Sequence, residues 1–263
     1  MTIRVVVSGT GNVGREVLAA VDAEADLTPV GVLEKFSSEE EIALPGGGTV
    51  PLSADPPALL ERAKPDVVID FTNAEWTPLV AEAALDQGAR LVIGTTALPD
   101  SWVDELEQRC RERGIGAVIA SNFAIGAVLM IHFAKIAGRF FDAAEIIELH
   151  HDGKVDAPSG TALTTARAIV RARGEPFDRN VPERETLPGT RAGAIDGVTI
   201  HSVRLPGLVA HQEVIFGGLG QTLSIRHDTI GRESFMPGVL LATREVIGRK
   251  ELVRGLDTLV GLA

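Results

Sequence analysis

The sequence has 263 residues, 45% of them hydrophobic and 23% charged, which is enough apolar material for one large domain or two modest ones. The formal net charge of −11 at pH 7 disfavours binding to the phosphate backbone of nucleic acids. The single cysteine, Cys110, excludes an intrachain disulfide and is expected to be a packing residue. The sequence shows no signal peptide and no membrane-spanning stretch, so we expect a cytoplasmic globular protein.

Strands and helices are predicted to alternate in the first half of the chain. Hydrophobic periodicity predicts strands at residues 3–7, 27–33, 67–70, 91–93 and 115–120. Helices are predicted at residues 12–23 and 76–87, and from an N-cap at Asp100 or Ser101 to Arg113. Strands that alternate with helices are typical of a parallel, doubly wound sheet of the Rossmann type.

The pattern changes near residue 122. It predicts a strand at 145–150, a helix from Ser159 to about Arg173, a loop at 175–197, strands at 198–204, 210–216 and 221–226, and a helical tail from 233. We therefore predict an α/β protein, with a Rossmann-like doubly wound parallel sheet plus an inserted mixed-sheet α+β domain. The dinucleotide-binding domain is predicted to comprise residues 1–121 and 232–263, and the inserted domain residues 122–231.

A glycine-rich turn joins the first predicted strand to the first helix. Gly9, Gly11 and Gly14 form the pattern G-x-G-x-x-G. Glycines permit a tight turn and a close approach of the backbone to a pyrophosphate, and the helix N-terminus adds free N–H groups. This context favours a dinucleotide site, and the alternative is an ordinary βα turn.

Two charged residues end the second predicted strand. Glu34 follows Gly14 by twenty residues, where a carboxylate suits the ribose hydroxyls of an adenosine and favours NADH. Lys35 follows directly, and a cation there suits the 2′-phosphate of NADPH. The pair leaves NADH and NADPH both open, and the alternative is two solvated side chains at a strand end.

Residues 148–162 contain the densest group of chemically active side chains. His150 and His151 titrate near neutrality and can donate a proton, while Lys154 offers a compact positive charge to a carboxylate. Ser159-Gly160-Thr161 opens the predicted helix, either as an anion cradle or simply as a cap. We predict no metal site, because adjacent histidines on a strand point to opposite faces and no third ligand has suitable spacing. A solvated polar loop is the remaining alternative.

This segment resembles the motif E-x-H-H-x-x-K-x-D-A-P-S-G-T-A of the 4-hydroxy-tetrahydrodipicolinate reductase (dihydrodipicolinate reductase) family over its whole length. Other family blocks follow in the same order along the chain. They are Asp70-Phe71-Thr72, Gly94-Thr95-Thr96, Ser121-Asn122-Phe123, His201-Ser202-Val203-Arg204, and His227 with Arg232 and Phe235. The resemblance covers essentially the whole chain.

The resemblance implies NAD(P)H-dependent reduction of a small dicarboxylate, 4-hydroxy-tetrahydrodipicolinate, in lysine and diaminopimelate biosynthesis. It implies a homotetramer whose inserted domain serves substrate binding and oligomerisation. It makes His150 the acid/base residue and Lys154 a proton donor or carboxylate partner. The implied substrate-binding residues are His151, Ser159, Gly160 and Thr161. With the glycine turn, the implied cofactor-binding residues are Gly9, Gly11, Asn12, Val13, Gly14, Glu34, Lys35, Phe71, Gly94, Thr95, Thr96, Ser121, Asn122 and Phe123.

Two departures from the family pattern keep alternatives open. The family turn is commonly G-x-x-G-x-M/V-G, and Ser8 stands in its first glycine position. Asp152-Gly153 occupies positions where bacterial members often carry basic or amide residues, and an acid there disfavours an anionic substrate. The alternatives are a related NAD(P)-dependent dehydrogenase of another small acid or amino acid, and a non-catalytic NAD(P)-binding regulator. The histidine-lysine segment argues against the regulator, because a sensor needs no proton donor.

Overall fold

The computed structural model of the protein describes residues 2–262 and divides into two compact units. The first unit comprises Met1–Ile125 together with Phe235–Ala263, and the second comprises Gly126–Ser234. The chain leaves the first unit once and returns to it, so the second unit is an insertion.

The first unit contains an eight-stranded sheet. Its strands are β1 (Ile3–Ser8), β2 (Leu27–Leu33), β3 (Glu41–Ala43), β4 (Thr49–Ser53), β5 (Val67–Asp70), β6 (Arg90–Ile93), β7 (Ala117–Ile119) and, numbered in chain order, β13 (Leu252–Arg254). The order across the sheet is β13-β7-β6-β5-β1-β2-β4-β3. All neighbours run parallel except β3, which is antiparallel to β4. The strand order reverses at β1, because β2 lies on one side of it and β5 on the other.

Five α-helices belong to this unit: α1 (Asn12–Ala23), α2 (Pro56–Ala63), α3 (Thr77–Asp86), α4 (Asp100–Arg113) and α7 (Met236–Glu245). α1 buries Gly14, Val17, Leu18 and Val21, which fixes its N-terminus beside the end of β1. The predicted N-cap of α4 at Asp100 or Ser101 is wrong. Pro99 occupies the cap position in an extended conformation, and no side chain caps the helix, because proline has no side-chain hydrogen-bond acceptor.

The second unit contains a five-stranded mixed sheet. Its strands are β8 (Ala143–His150), β9 (Gly193–Ile195), β10 (Val198–Arg204), β11 (Ala210–Gly218) and β12 (Gln221–Thr229), in the order β12-β11-β8-β10-β9. β8 and β10 run parallel, and the other neighbours are antiparallel. Two helices, α5 (Ile125–Ala137) and α6 (Gly160–Arg173), pack apolar side chains against one face of this sheet, around Ile146, Val214 and Phe216.

The predicted fold class is confirmed, and the errors concern individual elements. β7 is shorter than predicted, β9 lies inside the predicted loop, and the predicted helical tail also contains β13. β3, β4, α2 and α5 were not predicted. β3, β9 and β13 have three residues each, which is too short for a periodic signal. α5 is apolar almost all round, so its sequence shows no polar stripe from which a helical period could be read.

Within residues 2–262, no helix is both long enough and apolar enough to cross a membrane. Cys110 is fully buried in the core of the first unit, as predicted for a packing residue. Burial raises the pKa of its thiol to about 11, so the thiolate that reactive cysteines require does not form near neutral pH.

Candidate active site

The three glycines of the turn after β1 have three different structural roles. Gly9 has a φ of +102°, which strongly favours glycine. A methyl group at Gly14 would lie 2.0 Å from the carbonyl oxygen of Gly9, so only glycine allows α1 to pack this closely on the turn. Nothing lies within 4 Å of a methyl group built at Gly11, which precedes α1 as its N-cap. The open space at Gly11 and the first-turn N–H groups of Asn12 and Val13 can therefore accommodate a phosphate group.

The carboxylate of Glu34 is fastened to the same turn. Its Oε2 atom accepts hydrogen bonds from the backbone N–H of Thr10 at 2.9 Å and from the Thr10 hydroxyl at 2.6 Å. Partial burial disfavours the charged carboxylate, but these hydrogen bonds outweigh it and lower the pKa of Glu34. Oε2 is thereby occupied, and Oε1, which has only a 3.4 Å contact with the Phe36 N–H, remains the oxygen for further hydrogen bonds.

A cavity of about 210 Å³ opens at the point where the strand order reverses. The carboxyl ends of β1 and β5 lie side by side there, with Ser8 paired to Asp70. In open α/β sheets this position is the usual ligand crevice. The lining residues are Gly9, Gly11, Leu33, Glu34, Lys35, Phe36, Phe71, Thr72, Asn73 and Trp76. Lys35 and Phe36 are exposed at its edge, and the Lys35 ammonium lies 4.0 Å from the Glu75 carboxylate.

The ends of β5 and β6 are organised around Phe71. Its ring lies where a side chain at Gly94 would project, since a methyl group there would lie 2.0 Å from the ring. The ring also packs against Phe123, with the two ring centres 5.3 Å apart. The position of Phe71 therefore requires a glycine at residue 94. Phe123, which is buried, packs against the same ring.

The carboxylate of Asp70, at the end of β5, links these segments through hydrogen bonds. The carboxylate is fully buried and accepts hydrogen bonds from the hydroxyls of Thr72, Thr77 and Thr95, at 2.8, 2.6 and 2.8 Å. The Thr95 hydroxyl also accepts the backbone N–H of Thr72 at 2.9 Å. The Thr95 hydroxyl thus donates and accepts within the protein. It orders the loop and has no free hydrogen to donate to a ligand.

The remaining cofactor candidates lie at the surface of the first unit. Thr96 and Ser121 are exposed, and Asn122 is half-buried. The Asn122 side chain accepts the backbone N–H of Ala124 at 2.8 Å, which orders the chain after β7.

In the second unit, His150 ends β8 and contacts a buried carboxylate on its own strand. The Nδ1 atom of His150 lies 2.5 Å from Oε2 of Glu148, which is fully buried. Arg204, at the end of the neighbouring strand β10, donates to both oxygens of Glu148 at 3.0 and 2.8 Å. Burial disfavours the Glu148 anion, but hydrogen bonds from Arg204, Ser202 and His150 outweigh burial and lower the pKa of Glu148.

The pKa of His150 is also lowered. Burial disfavours the imidazolium, and the positive charges of Lys154 and Arg204 act in the same direction, while the hydrogen bond to Glu148 opposes them. The free protein therefore holds His150 mainly neutral near pH 7. A bound anion would reverse this tendency, because negative charge nearby favours the imidazolium.

The loop after β8 carries Lys154, the predicted proton donor or carboxylate partner. The Lys154 ammonium donates to the Asp156 carboxylate at 2.7 Å, and Arg204 donates to the Asp156 carbonyl oxygen at 2.7 Å. His151 already lies beyond the strand and is exposed, so the predicted alternation of the two histidines on one strand is wrong. Asp152 and Gly153 are exposed as well, and solvent screens the extra acid.

Ser159, Gly160 and Thr161 begin α6 with different roles. The Ser159 hydroxyl accepts the Ala162 N–H at 3.2 Å, and the Ser159 N–H donates to Glu148 at 3.2 Å. Ser159 is therefore the helix cap and is itself buried. Gly160 is exposed and Thr161 is half-buried, and their N–H groups at the helix N-terminus suit a carboxylate.

Sequence reasoning gave no role to four residues that shape these two regions: Thr10, Asp70, Glu148 and Arg204. Glu148 could have been found, because it stands two residues before His150 and therefore shares its face of the strand. Arg204 stands in one of the family blocks, but nothing near it in the sequence indicates its role, since it meets Glu148 only through the pairing of β8 with β10. Among residues 2–262, no cluster of three or more His, Cys, Asp or Glu side chains could hold a metal ion.

The chain matches known proteins over nearly its whole length. The family model described as dihydrodipicolinate reductase, N-terminus, matches residues 3–123, and its C-terminal counterpart matches residues 126–260. The chain is 48% identical over 262 residues to a 4-hydroxy-tetrahydrodipicolinate reductase of Dehalococcoides mccartyi. The aligned residues cover 99% of each chain. It is 48% identical over 261 residues to the enzyme of the same name from Geobacillus thermodenitrificans, covering 98% of each.

A solved structure has the same fold as this chain. A dipicolinate-bound dihydrodipicolinate reductase from Paenisporosarcina sp. TG-14 superimposes with a TM-score of 0.88 at 40% identity, over 98% of this chain and 99% of that one. The named relatives, together with a glycine turn at the point where the strand order of a doubly wound sheet reverses, define this chain as an NAD(P)H-dependent oxidoreductase. The chain belongs to the dihydrodipicolinate reductase family.

Proposed function

We propose that this protein reduces 4-hydroxy-tetrahydrodipicolinate to tetrahydrodipicolinate, with NADH or NADPH as reductant, in lysine and diaminopimelate biosynthesis. In the net reaction the substrate gains a hydride and a proton and loses water. The observation that carries the proposal is that His150 and the N-terminus of α6 both bond one buried glutamate, Glu148, while Lys154 lies on the adjoining loop that Arg204 also contacts. These groups can supply a proton to a small dianion, and they can bind it through positive charge and through the free N–H groups of the helix N-terminus.

The residues of the first unit fit a dinucleotide. The free volume at Gly11 and the unshielded first turn of α1 suit a pyrophosphate, and Oε1 of Glu34 suits a ribose hydroxyl. We assign the first unit to cofactor binding and the second to substrate binding. When bound, the reduced nicotinamide supplies the hydride, and the chain's own groups bind and orient the two reactants.

The side chains of the second unit have distinct proposed roles. His150 delivers the proton that accompanies reduction, from its Nε2 atom. Lys154, once drawn away from Asp156, and the N–H groups of Gly160 and Thr161 bind substrate carboxylates, with His151 at the edge of the site. These donors are positive or partly positive within an acidic protein, so the attraction for a dianion is local.

Oxidation of reduced cofactor in the presence of enzymatically generated 4-hydroxy-tetrahydrodipicolinate tests the function directly. We expect substrate-dependent loss of absorbance at the cofactor's near-ultraviolet band with either cofactor, and full activity after treatment with a chelator. A dehydrogenase of another small acid would show no turnover here but would turn over with its own substrate. A non-catalytic regulator would bind the cofactor without consuming it.

The two charges at the end of β2 are expected to balance cofactor preference. Glu34 repels a 2′-phosphate and Lys35 attracts it. Solvent reduces both effects, and the Glu75 carboxylate near Lys35 offsets part of the attraction. We expect preference between NADH and NADPH to lie within about tenfold, or roughly 1.4 kcal/mol. Replacing Glu34 should shift preference toward NADPH, and Lys35→Ala toward NADH, in titrations of both cofactors.

The Glu34 variant needs a matched design because this carboxylate also holds the turn. Glu34→Ala removes the acceptor for Thr10, whereas Glu34→Gln keeps an acceptor and removes only the charge. Glu34→Gln is therefore the charge test, and Thr10→Ala is its control with the charge retained. An unchanged ratio of dissociation constants in both Glu34→Gln and Lys35→Ala would remove this strand end from the adenosine site.

The lowered pKa of His150 predicts a particular pH dependence. A proton donor is lost as pH rises through its pKa, so kcat/KM, which reports the free enzyme, should fall with a midpoint below about 6.5. Substrate carboxylates favour the imidazolium, so the corresponding midpoint in kcat should lie at higher pH. Profiles of kcat and kcat/KM measured with one cofactor check this order. Coincident midpoints would contradict it.

The inferred homotetramer and cytoplasmic location are part of the proposal. One face of the five-stranded sheet carries α5 and α6, while Ile147, Leu149 and Ile215 on β8 and β11 alternate with the residues buried under those helices and are only half-buried. Such a face is suited to association with further copies. Sedimentation equilibrium on the purified protein determines the number of copies, and cell fractionation determines the location.

A further inference from the structure

Glu148 is the point at which three elements of the second unit meet. It receives Arg204 from β10, the backbone N–H of Ser159 from the start of α6, and His150 from its own strand. The carboxylate has no exposed surface, and the pair of hydrogen bonds from the guanidinium satisfies one side of both oxygens. Glu148 is therefore held rigidly, and it is ionised.

The ionised carboxylate determines which nitrogen of His150 carries a proton. A carboxylate can only accept hydrogen bonds, so at the 2.5 Å contact the Nδ1 atom of His150 must be the donor. In the neutral ring the lone pair then resides on Nε2. Proton gain and loss near neutral pH must take place at Nε2.

We propose that Glu148, clamped by Arg204, is a positioning residue that fixes His150 as the Nδ1–H tautomer and thereby assigns proton transfer to Nε2. The inference deepens the proposed function and rests on it, because the tautomer matters to the reaction only if His150 exchanges a proton. Arg204 also donates to the Asp156 carbonyl oxygen. The same guanidinium thus orients the histidine, through Glu148, and the loop that bears Lys154.

The charged groups around His150 come from three elements. Glu148 lies on β8, Arg204 on β10, and Lys154 with Asp156 on the loop after β8. The two cations lower the proton affinity of His150, and the Glu148 anion raises it. Removing the anion alone should therefore move the titration of His150 to lower pH, in addition to releasing its tautomer.

The same strand provides a matched control. Glu145, on β8, accepts hydrogen bonds from Arg191 at 2.6 Å and from His201 at 2.7 Å, so it repeats the combination of glutamate, arginine and histidine. The Glu145 side chain is 36% exposed, whereas that of Glu148 is fully buried, and Glu145 contacts a different histidine. Glu145→Gln makes the same chemical change on the same strand without touching His150.

Histidine-selective ¹⁵N NMR of the full chain tests the inference without substrate. In the wild type above the pKa of His150, we expect the two-bond coupling pattern of an Nδ1-protonated ring. In Glu148→Gln we expect a shift toward the Nε2-protonated ring and a titration midpoint at lower pH. Glu145→Gln should leave both signals of His150 unchanged. An Nε2-protonated His150 in the wild type overturns the inference even if the Glu148 variant fails to fold.

Kinetics provide the second readout. Glu148→Gln should lower kcat by about a hundredfold or more with little change in the dissociation constant of the reduced cofactor, because a histidine in the wrong tautomer cannot exchange its proton at Nε2. Wild-type kcat in a folded Glu148→Gln protein overturns the positioning role. If the wild type itself fails to reduce the substrate, the proposed function fails, and the NMR result alone then decides whether Glu148 sets the tautomer.

Discussion

His150→Gln is expected to lower kcat by at least about a hundredfold, which corresponds to about 2.7 kcal/mol of transition-state stabilisation. Glutamine can hydrogen-bond Glu148 but cannot supply a proton at neutral pH. Binding of the reduced cofactor should stay within about twofold of the wild type, because the residues assigned to the cofactor belong to the first unit. Steady-state kinetics with saturating substrate, together with a fluorescence titration of the cofactor, measure the two quantities.

His151→Gln is the matched control for this variant. His151 has the same ring but is exposed beyond the end of β8, whereas His150 bonds a buried carboxylate. We expect this substitution mainly to raise KM, since an edge contact to a carboxylate contributes to binding more than to the chemical step. If the two variants lost kcat equally, the assignment of the proton donor to His150 rather than His151 would be wrong.

Gly14→Ala is expected to lower the melting temperature by roughly 6–12 °C, from a loss of about 3 kcal/mol. The added methyl group would lie 2.0 Å from the Gly9 carbonyl oxygen and 2.7 Å from its carbonyl carbon. Both are backbone atoms, so no rotamer change relieves the overlap and α1 must move away from the turn. Thermal unfolding of the protein without cofactor shows this effect.

Gly11→Ala separates folding from binding. Gly11 has a φ of −67°, which alanine adopts readily, and nothing lies within 4 Å of its added methyl group. The melting temperature without cofactor should therefore change little. The methyl group would instead occupy the space assigned to the pyrophosphate, and cofactor binding should weaken by about tenfold or more. Unchanged cofactor affinity in Gly11→Ala would exclude this space as the phosphate site.

The amino-acid sequence by itself determined the features that depend on neighbouring residues. The bounds of α1, β2 and β5 agree with the prediction, because burial of one face or of a whole strand imposes a regular pattern on consecutive side chains. The glycine turn was recognisable for the same reason, since its strand, turn and helix are adjacent in the chain. The catalytic candidates could be predicted because they all lie within one short stretch of the chain, from residue 148 to residue 162.

Only the tertiary structure decided which groups support those candidates. Glu148 meets Arg204, 56 residues away, through strand pairing, and Thr10 meets Glu34 across 24 residues. The Phe71 ring occupies the space that a side chain at Gly94 would need, so the reason for that glycine lies in the segment that follows another strand. Such contacts depend on sheet order and register, which result from burying the apolar faces of the whole unit and leave no periodic trace in a local window. The buried hydrogen-bond partner and the lowered pKa of His150 therefore depend on the fold, whereas the sequence alone shows that a histidine stands there.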